Sequence, residues 1–156
     1  MAKVKSDFKK FPKSIRNDVN FKKAHSYYLL KEHDSTLLYA HNFLSSRRSK
    51  DLYSQYCHYF RGTSFQGKKL DKEARKEYET IRPSFPFYHS VRSKLGAIAL
   101  EDHRFSDALD YYLEVEELPK HTLKYFEMDI MYHDIGLCYL HLENYEESED
   151  YLLKSL

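Results

Sequence analysis

Histidine is the residue type that first suggests a metal site here, because nine histidines occur among 156 residues. His25, His33 and His41 follow one another at intervals of eight residues, as do His133 and His141. Within a helix that interval spans about 12 Å, which is too far for two ligands of one ion. The chain contains no HxxxH or HExxH spacing. The pattern favours exposed or half-buried histidines, and we expect no metal and no other cofactor.

The two cysteines are the candidate nucleophiles, since Cys57 precedes His58 and Cys138 lies three residues before His141. A Cys–His pair also needs a cleft and a third group that orients the histidine. Both cysteines fall in apolar stretches of predicted helices, so we interpret them as small core residues. They form no CxxC motif and lie far apart, which favours a reducing compartment, the cytoplasm, over a disulfide framework.

Other catalytic motifs are missing as well. The sequence has neither a GxxxxGK[ST] loop nor a GxGxxG run, so no segment is predicted to cradle a phosphate. Its acidic clusters, at residues 114–117 and 143–147, are typical of solvated helix faces rather than of paired catalytic acids. We therefore predict a protein that is not an enzyme.

Composition indicates a helical protein. Apolar residues make up 42% of the chain, and only four glycines and four prolines interrupt it. A β-sandwich would need turn residues roughly every ten positions. No apolar run approaches the roughly 18 residues of a membrane span, and the N-terminal lysines precede no apolar core of a secretory signal. We expect an all-α chain with no membrane partner.

Charge is distributed unevenly along the chain. Residues 1–78 carry 18 Lys/Arg and 8 Asp/Glu, whereas residues 79–156 carry 7 and 16. Two solvated faces of different charge are the simplest interpretation, and head-to-tail self-association is a second. A third is nucleic-acid binding, which we do not favour. It would use the basic residues Lys22, Lys23, Arg47, Arg48, Lys50, Lys68 and Lys69.

Apolar periodicity and helix breakers divide the chain into paired helices. After a basic lead-in at residues 1–16, helices are predicted at 17–31, 36–44, 51–67, 71–81, 87–101, 106–117, 121–142 and 144–156. The predicted N-caps are Asp34 or Ser35, then Asp71 and Ser106, whose side-chain oxygens can accept from free N–H groups. The helices form four predicted hairpins, at residues 17–50, 55–88, 89–120 and 129–156.

An internal repeat organises these hairpins. Gly62, Phe65, Ala74, Tyr78 and Ile81 are followed 34 residues later by Gly96, Ala99, Ala108, Tyr112 and Val115. Glycine in the middle of a helix costs about 1 kcal/mol relative to alanine. That cost is explicable if another helix must come close at Gly62, Gly96 and Gly136, with Ala74 and Ala108 as small partners. A fixed period of this length is typical of helical repeat proteins.

The pattern resembles the tetratricopeptide repeat, a 34-residue helical hairpin. One unit matches at Gly62, Phe65, Ala74, Tyr78 and Pro86. The next matches at Leu95, Gly96, Phe105, Ala108, Tyr112 and Pro119, with Ala99 in place of an aromatic residue. The last matches at Ile135, Gly136, Tyr139 and Tyr145, with Ser148 and Leu152 at the two remaining motif positions. The first unit is degenerate, since only Ala24 and Tyr27 fit, and about six residues are inserted near 118–126.

The resemblance implies an α-α superhelix whose first helices line a concave surface for a protein or peptide. Carried over by motif position, that surface comprises Tyr56, Tyr59, Thr63, Gln66, Ser90, Ser93, Ala97, Leu100, Ile130, His133, Leu137 and Leu140. Tyrosine offers a large contact area with a polar tip, which suits binding. The alternative is that Tyr56 and Tyr59 pack against the first unit and line nothing. The Lys and Asn clamp that some members use for a C-terminal carboxylate is absent here.

The last helix has no capping helix in this sequence, which predicts exposure of Tyr151, Leu152, Leu153 and Leu156. Either the chain is part of a longer repeat protein, or these residues pair with another copy, giving a homo-oligomer through the C-terminal helix. The segments DSTLLYA and RFSDALDYY are similar to sensing repeats of bacterial transcriptional or signalling regulators. We thus expect a non-enzymatic binding scaffold, with a regulator's sensing region as an alternative.

Overall fold

Eight α-helices make up the regular structure in the computed structural model, which describes residues 12–46, 51–119, 123 and 128–156. The chain divides into two units, Met1–Phe85 and Pro86–Leu156. Unit 1 contains α1 (Lys13–Leu29), α2 (His33–Ser45), α3 (Leu52–Gly67) and α4 (Asp71–Tyr78). Unit 2 contains α5 (Tyr88–Glu101), α6 (Phe105–Glu116), α7 (Met128–His141) and α8 (Tyr145–Lys154). The predicted all-α class is confirmed.

Consecutive helices pack as hairpins within each unit. In unit 1, α1 packs on α2 and α3 on α4, while α3 also contacts α2 and α1. In unit 2, α5 packs on α6 and α7 on α8, and α7 also lies against α6 and α5. Each helix thus buries one face against a hairpin partner, which helices of this length need in order to be stable in water.

The turn inside each hairpin has the same backbone geometry. A residue with φ between 57° and 63° follows the first helix: Lys31, Lys69, His103 and Glu143. The next residue donates its N–H across the turn, from Glu32 to Tyr27 O (3.0 Å), Leu70 to Phe65 O (2.9 Å), Arg104 to Ala99 O (2.8 Å) and Asn144 to Tyr139 O (3.0 Å). This is the closure that ends many helices at a left-handed residue. It fixes the register of all four hairpins.

The second helices begin without the side-chain caps that the sequence suggested. α2 begins at His33 and α6 at Phe105, so Ser35 and Ser106 lie inside helices, while Asp71 is the first residue of α4. Glu32, Leu70 and Arg104 occupy the cap positions, and none makes a side-chain cap bond. The N-cap prediction was wrong because the left-handed turn, rather than a capping oxygen, sets where these helices begin.

Each predicted glycine faces the side chain sixteen residues later. The Tyr78 ring occupies the space beside Gly62, and a Cβ atom built on Gly96 would lie 2.7 Å from the Tyr112 ring. A Cβ on Gly136 would lie 2.7 Å from Leu152 Cγ. A real Cβ does not come that close to another heavy atom, so these glycines allow the two helices of each hairpin to approach.

The degenerate first hairpin keeps the register but changes both partners. Counted from the turn, Ala24 is equivalent to Gly62 and Ala40 to Tyr78. Ala24 and Ala40 are both fully buried in the unit 1 core with Phe43, Cys57 and Phe60. Two alanines therefore replace the glycine–tyrosine pair, and the hairpin is preserved although the motif is lost.

Two segments used in the predictions lie outside the described residues. They are most of the lead-in, residues 1–11, and most of the proposed insertion, residues 120–122 and 124–127. The basic run at residues 47–50 is also outside. Residues 13–16, assigned from the sequence to the lead-in, belong to α1.

Candidate functional site

An open, mainly apolar cleft on unit 2 is a candidate binding surface. It lies along α8, with one side chain from α7, and has a volume of about 420 Å³. Its lining residues are His133, Tyr145, Ser148, Glu149, Leu152, Leu153, Ser155 and Leu156. Leu153 is 60% exposed and Leu156 is fully exposed. Large apolar side chains left in water in this way are typical of interaction sites.

The floor of the cleft is held by contacts between α7 and α8. Leu152 packs on Gly136, which allows α8 to lie close to α7. The buried hydroxyl of Ser148 donates a 2.9 Å hydrogen bond to the carbonyl oxygen of Gly136. Ser148 occupies the position that Ala74 and Ala108 hold in the two preceding hairpins. Leu153 lies on the exposed side of α8, and Leu156 follows the end of the helix.

In the preceding hairpin, the corresponding face of α6 is covered by another helix, α7. At an offset of 40 residues, Phe105, Leu109, Tyr112 and Leu113 of α6 correspond to Tyr145, Glu149, Leu152 and Leu153 of α8. On α6, the Phe105 ring stacks on His141 of α7 at 4.1 Å between centroids. The Tyr112 hydroxyl donates a 2.9 Å hydrogen bond to Asp134 of α7. The α6 face therefore receives a helix, whereas in the described part of unit 2 no helix covers Tyr145 and Leu153.

One carboxylate, that of Glu149, lines the cleft. The helix α8 also carries the exposed acids Glu146, Glu147 and Asp150. The nearest cation on α8 is Lys154, whose Nζ lies 3.9 Å from the centroid of the Tyr151 ring. Tyr151 in turn donates a 2.6 Å hydrogen bond to Glu116 of α6. Burial, followed by this bond to a carboxylate, raises the pKa of Tyr151, so its hydroxyl stays a donor at neutral pH.

Exposure of the last helix was predicted for four residues, and the structure separates them. Leu153 and Leu156 are exposed. Tyr151 and Leu152 are half-buried, because Tyr151 packs on Tyr139 and Leu152 packs on Gly136. The prediction was wrong for Tyr151 and Leu152. It considered only that these residues are apolar and did not foresee that they pack against α7.

The predicted concave residues of unit 1 lie on one face of α3. Tyr56 and Tyr59 are half-buried, with ring centroids 5.0 and 5.6 Å from that of Phe85. Thr63 and Gln66 contact the Tyr78 hydroxyl at 3.3 and 2.7 Å, Gln66 accepting its hydrogen bond. All four side chains therefore contribute to packing inside unit 1. Only the exposed part of each side chain is available for contact with a partner.

The predicted concave residues of unit 2 come from α5 and α7. Ser90, Ser93, Ala97 and Leu100 are half-buried along α5. On α7, Leu137 is half-buried, Ile130 and Leu140 are 56% and 44% exposed, and His133 is exposed. His133 is the one predicted residue that also lines the cleft. Within unit 2, α7 therefore presents a second apolar stripe next to the cleft.

Tyr145 and Glu149 are cleft residues that the sequence analysis did not select. The predicted positions came from first helices, whereas the cleft is built mainly from a second helix. The sequence did contain a signal for Glu149. At an offset of 40 residues, Glu149 corresponds to an apolar residue, Leu109. A charge at a position that is apolar in the previous unit indicates that the two helix faces have different surroundings.

Several lysines of the basic half have partners within unit 1. Lys22 forms a 2.9 Å ion pair with Asp18, and Lys23 Nζ lies 4.8 Å from the centroid of the Tyr39 ring. Lys68 pairs with Asp34 and, through this hydrogen bond, lowers the pKa of that carboxyl group. Three of the seven basic residues named for nucleic-acid binding therefore have partners within unit 1.

The described residues include both cysteine candidates and eight of the nine histidines considered as possible metal ligands. No group of three or more His, Cys, Asp or Glu side chains among them could hold a metal ion. Cys57 and Cys138 are both buried free thiols. Burial raises the pKa of Cys138 to about 11, the opposite of what an activated nucleophile needs. Across the described ranges, no helix is both long and apolar enough to cross a membrane.

Comparison with known proteins leaves the family open. No model of a known protein family matches the chain, and no curated protein sequence matches it. A function must therefore be argued from the hairpins and the cleft.

Proposed function

We propose that this chain is a non-enzymatic scaffold of the tetratricopeptide type that binds a protein or peptide partner in a reducing compartment, the bacterial cytoplasm. In this proposal the four hairpins belong to an α-α superhelix. The partner is held by the exposed residues of first helices and by the cleft on α8. The buried free thiols Cys57 and Cys138 support the compartment.

The shared hairpin geometry supports the assignment to a helical repeat protein. Four turns of one backbone form and three glycine contacts at the same position are what a repeated unit requires. Repeat proteins of this kind work through extended surfaces rather than enclosed active sites. The described residues include large apolar side chains that are exposed, which such surfaces use.

One observation carries the binding function. The α6 face of unit 2 receives α7, and the equivalent face of α8 presents Tyr145 and Leu153 to solvent. A face that accepts a helix in one hairpin, and is exposed with similar apolar content in the next, is suited to accept a helix from elsewhere.

Selection from a random library of displayed peptides tests this function. The immobilised chain should enrich peptides that bind it in the folded state and are lost on the heat-unfolded chain. Three variants locate the binding surface: Leu153→Asp for the cleft, Ile130→Asp for the α7 stripe and Leu38→Asp as a control. All three residues are more than half exposed, so the substitutions leave the fold intact.

We expect enriched peptides to lose binding to Leu153→Asp or Ile130→Asp while keeping it to Leu38→Asp. A selection that yields no peptide dependent on the folded chain would refute the scaffold function. Peptides that bind all three variants equally would refute both candidate surfaces.

A further inference from the structure

We infer that a pocket in unit 1 receives an aromatic side chain of the bound peptide, one that carries a hydrogen-bond donor, tyrosine or tryptophan. The pocket lies between the start of α1, the end of α2 and the start of α3. Its volume is about 320 Å³, within the range of ligand sites. Its lining residues are Ser14, Asn17, Asp18, Phe21, Phe43 and Tyr53. The inference rests on the proposed function and specifies which residue of the partner this unit recognises.

Three aromatic rings form the apolar part of the pocket. The ring centroid of Phe21 lies 4.9 Å from that of Tyr53, with 81° between the planes, and 5.6 Å from that of Phe43. Phe43 is 2% exposed and belongs to the unit 1 core, whereas Tyr53 is 53% exposed. A ring bound beside Phe21 and Tyr53 would gain the edge-on or offset contacts that aromatic pairs prefer.

The second hairpin holds a ring at the equivalent place. Counted from the left-handed turn residue of each hairpin, Asp18 is equivalent to Tyr56. Phe21 is equivalent to Tyr59 by the same count. The ring centroid of Phe85 lies 5.0 Å from that of Tyr56 and 5.6 Å from that of Tyr59, and Phe85 is 3% exposed. An aromatic side chain is therefore the occupant that this position accepts within the same unit.

An amide side chain holds the segment after the second helix in both hairpins. Gln55 Oε1 accepts a 3.0 Å hydrogen bond from the N–H of Arg82, and the equivalent Asn17 Oδ1 accepts one of 2.5 Å from the hydroxyl of Ser46. In the second hairpin this segment supplies the ring that is bound. In the first hairpin the segment, residues 46–51, has the sequence SRRSKD and contains no apolar residue. The first hairpin thus keeps the ring site, but its connecting segment has no ring to place there.

Asp18 changes the chemistry of the site, because its carboxylate stands where the second hairpin has the ring of Tyr56. A carboxylate accepts hydrogen bonds from the hydroxyl of tyrosine or the indole N–H of tryptophan, whereas phenylalanine and leucine have no such donor. Asp18 also lies 2.9 Å from Lys22 Nζ, and both side chains are mostly exposed. This weak exposed pair leaves lone pairs of the carboxylate open and already supplies a cation. The occupant is therefore a neutral aromatic donor rather than a lysine or arginine.

Tryptophan fluorescence tests the inference selectively, because the chain itself contains no tryptophan. The probe is a capped tripeptide with tryptophan between two glycines, whose emission should shift to shorter wavelength as the indole leaves water. Capped tripeptides with tyrosine, phenylalanine, leucine or arginine at the centre serve as competitors. We expect the tyrosine peptide to compete, and the phenylalanine peptide to compete about fivefold more weakly because it lacks the donor. The leucine and arginine peptides should not compete.

Two pairs of variants assign the binding to the pocket. Tyr53→Ser should weaken the tryptophan peptide at least about fivefold, because it removes one ring of the pocket. Tyr145→Ser removes an exposed ring from unit 2 and should change the dissociation constant less than about twofold. Asp18→Ala should abolish the preference for tyrosine over phenylalanine. Lys22→Ala breaks the same ion pair without changing the lining of the pocket, and should keep that preference.

Three results would overturn the inference: no binding of the tryptophan peptide, Tyr145→Ser as damaging as Tyr53→Ser, or equal competition by the tyrosine, phenylalanine and leucine peptides. Two further results would assign the pocket to another occupant and overturn it as well. They are tighter binding of the probe when Phe8→Ser and Phe11→Ser are combined, and self-association that Tyr53→Ser abolishes. Library peptides that depend on Leu153 but are unaffected by Tyr53→Ser would leave the scaffold function standing while this inference fails.

Discussion

The Tyr112 ring lies against Gly96 so closely that a Cβ atom on this glycine would be 2.7 Å from the ring. Gly96 sits in the middle of α5, where glycine is a poor helix former. The tyrosine is 1% exposed and cannot move outward without losing its hydrogen bond to Asp134. The helix crossing in this hairpin is therefore set by a small residue on one helix and a large one on the other.

Gly96→Ala should destabilise unit 2 by about 1–3 kcal/mol, because the added methyl group overpacks the contact. In the background of Tyr112→Ala the same substitution should instead stabilise by up to about 1 kcal/mol, since only helix propensity remains. Urea unfolding of the two single variants and the double variant measures this change of sign. A Gly96→Ala effect of equal sign and size in both backgrounds would show that the ring does not restrict this position.

The left-handed turn residues predict opposite effects of glycine at two nearby lysines. Lys69 has φ of 58°, a conformation that costs a non-glycine residue about 1 kcal/mol. Lys69→Gly should therefore be neutral or stabilising by up to about 1 kcal/mol. Lys72→Gly, in the exposed part of α4, should destabilise by about 1 kcal/mol. Urea midpoints compare the two, and destabilisation by Lys69→Gly would contradict the turn geometry.

The hydroxyls of two buried tyrosines should differ in their contribution to stability. Tyr112 donates to the carboxylate of Asp134, whereas Tyr78 donates to the amide oxygen of Gln66. Hydrogen bonds to charged groups are the stronger kind, so Tyr112→Phe should cost about 1.5–3 kcal/mol and Tyr78→Phe about 1 kcal/mol. Chemical unfolding of both variants measures the difference. A larger cost at Tyr78 would argue against a charged acceptor for Tyr112.

The chain should lose stability at alkaline pH. Burial raises the pKa of Cys138 from 9.0 to about 11, and burial together with the hydrogen bond to Glu114 raises that of Tyr88 from 10.0 to about 12. The folded state then keeps protons that the unfolded chain releases, so stability is full below about pH 9 and falls as the pH rises to about 12.

Urea unfolding across that pH interval measures the loss, and Cys138→Ala should make it shallower between about pH 9 and 11. Tyrosine absorbance should show a late phase that coincides with unfolding. An unchanged slope in Cys138→Ala would show that this thiol ionises equally in both states.

The sequence predicted that helices come close at Gly62 and Gly96, but it named Ala74 and Ala108 as the partners of these glycines. The structure places the Tyr78 and Tyr112 rings there instead. The first hairpin matched the motif only at Ala24 and Tyr27, because Ala40 stands where the next two units have tyrosine. A motif comparison scores each position separately, so it does not detect that two residues of one pair have changed together.

The turns and the cleft could not be read from the sequence in the same way. Left-handed turn residues are usually glycine or asparagine, whereas this chain uses lysine, histidine and glutamate. The cleft depends on which helix covers each face, which is a property of tertiary packing. Tyr145 and Leu153 resemble their counterparts Phe105 and Leu113 in type, yet both are exposed, whereas Phe105 stacks on His141 and Leu113 packs against the unit 2 core.

The four left-handed turns also provide a set of matched labelling positions. Lys31, Lys69, His103 and Glu143 are exposed and share one backbone conformation although they comprise three residue types, so the residue type does not determine this geometry. A cysteine introduced at any of them would carry a spin label or fluorophore on the same local frame. Distances between such labels would give the arrangement of hairpin tips in solution, and their change on adding a peptide would report where it binds.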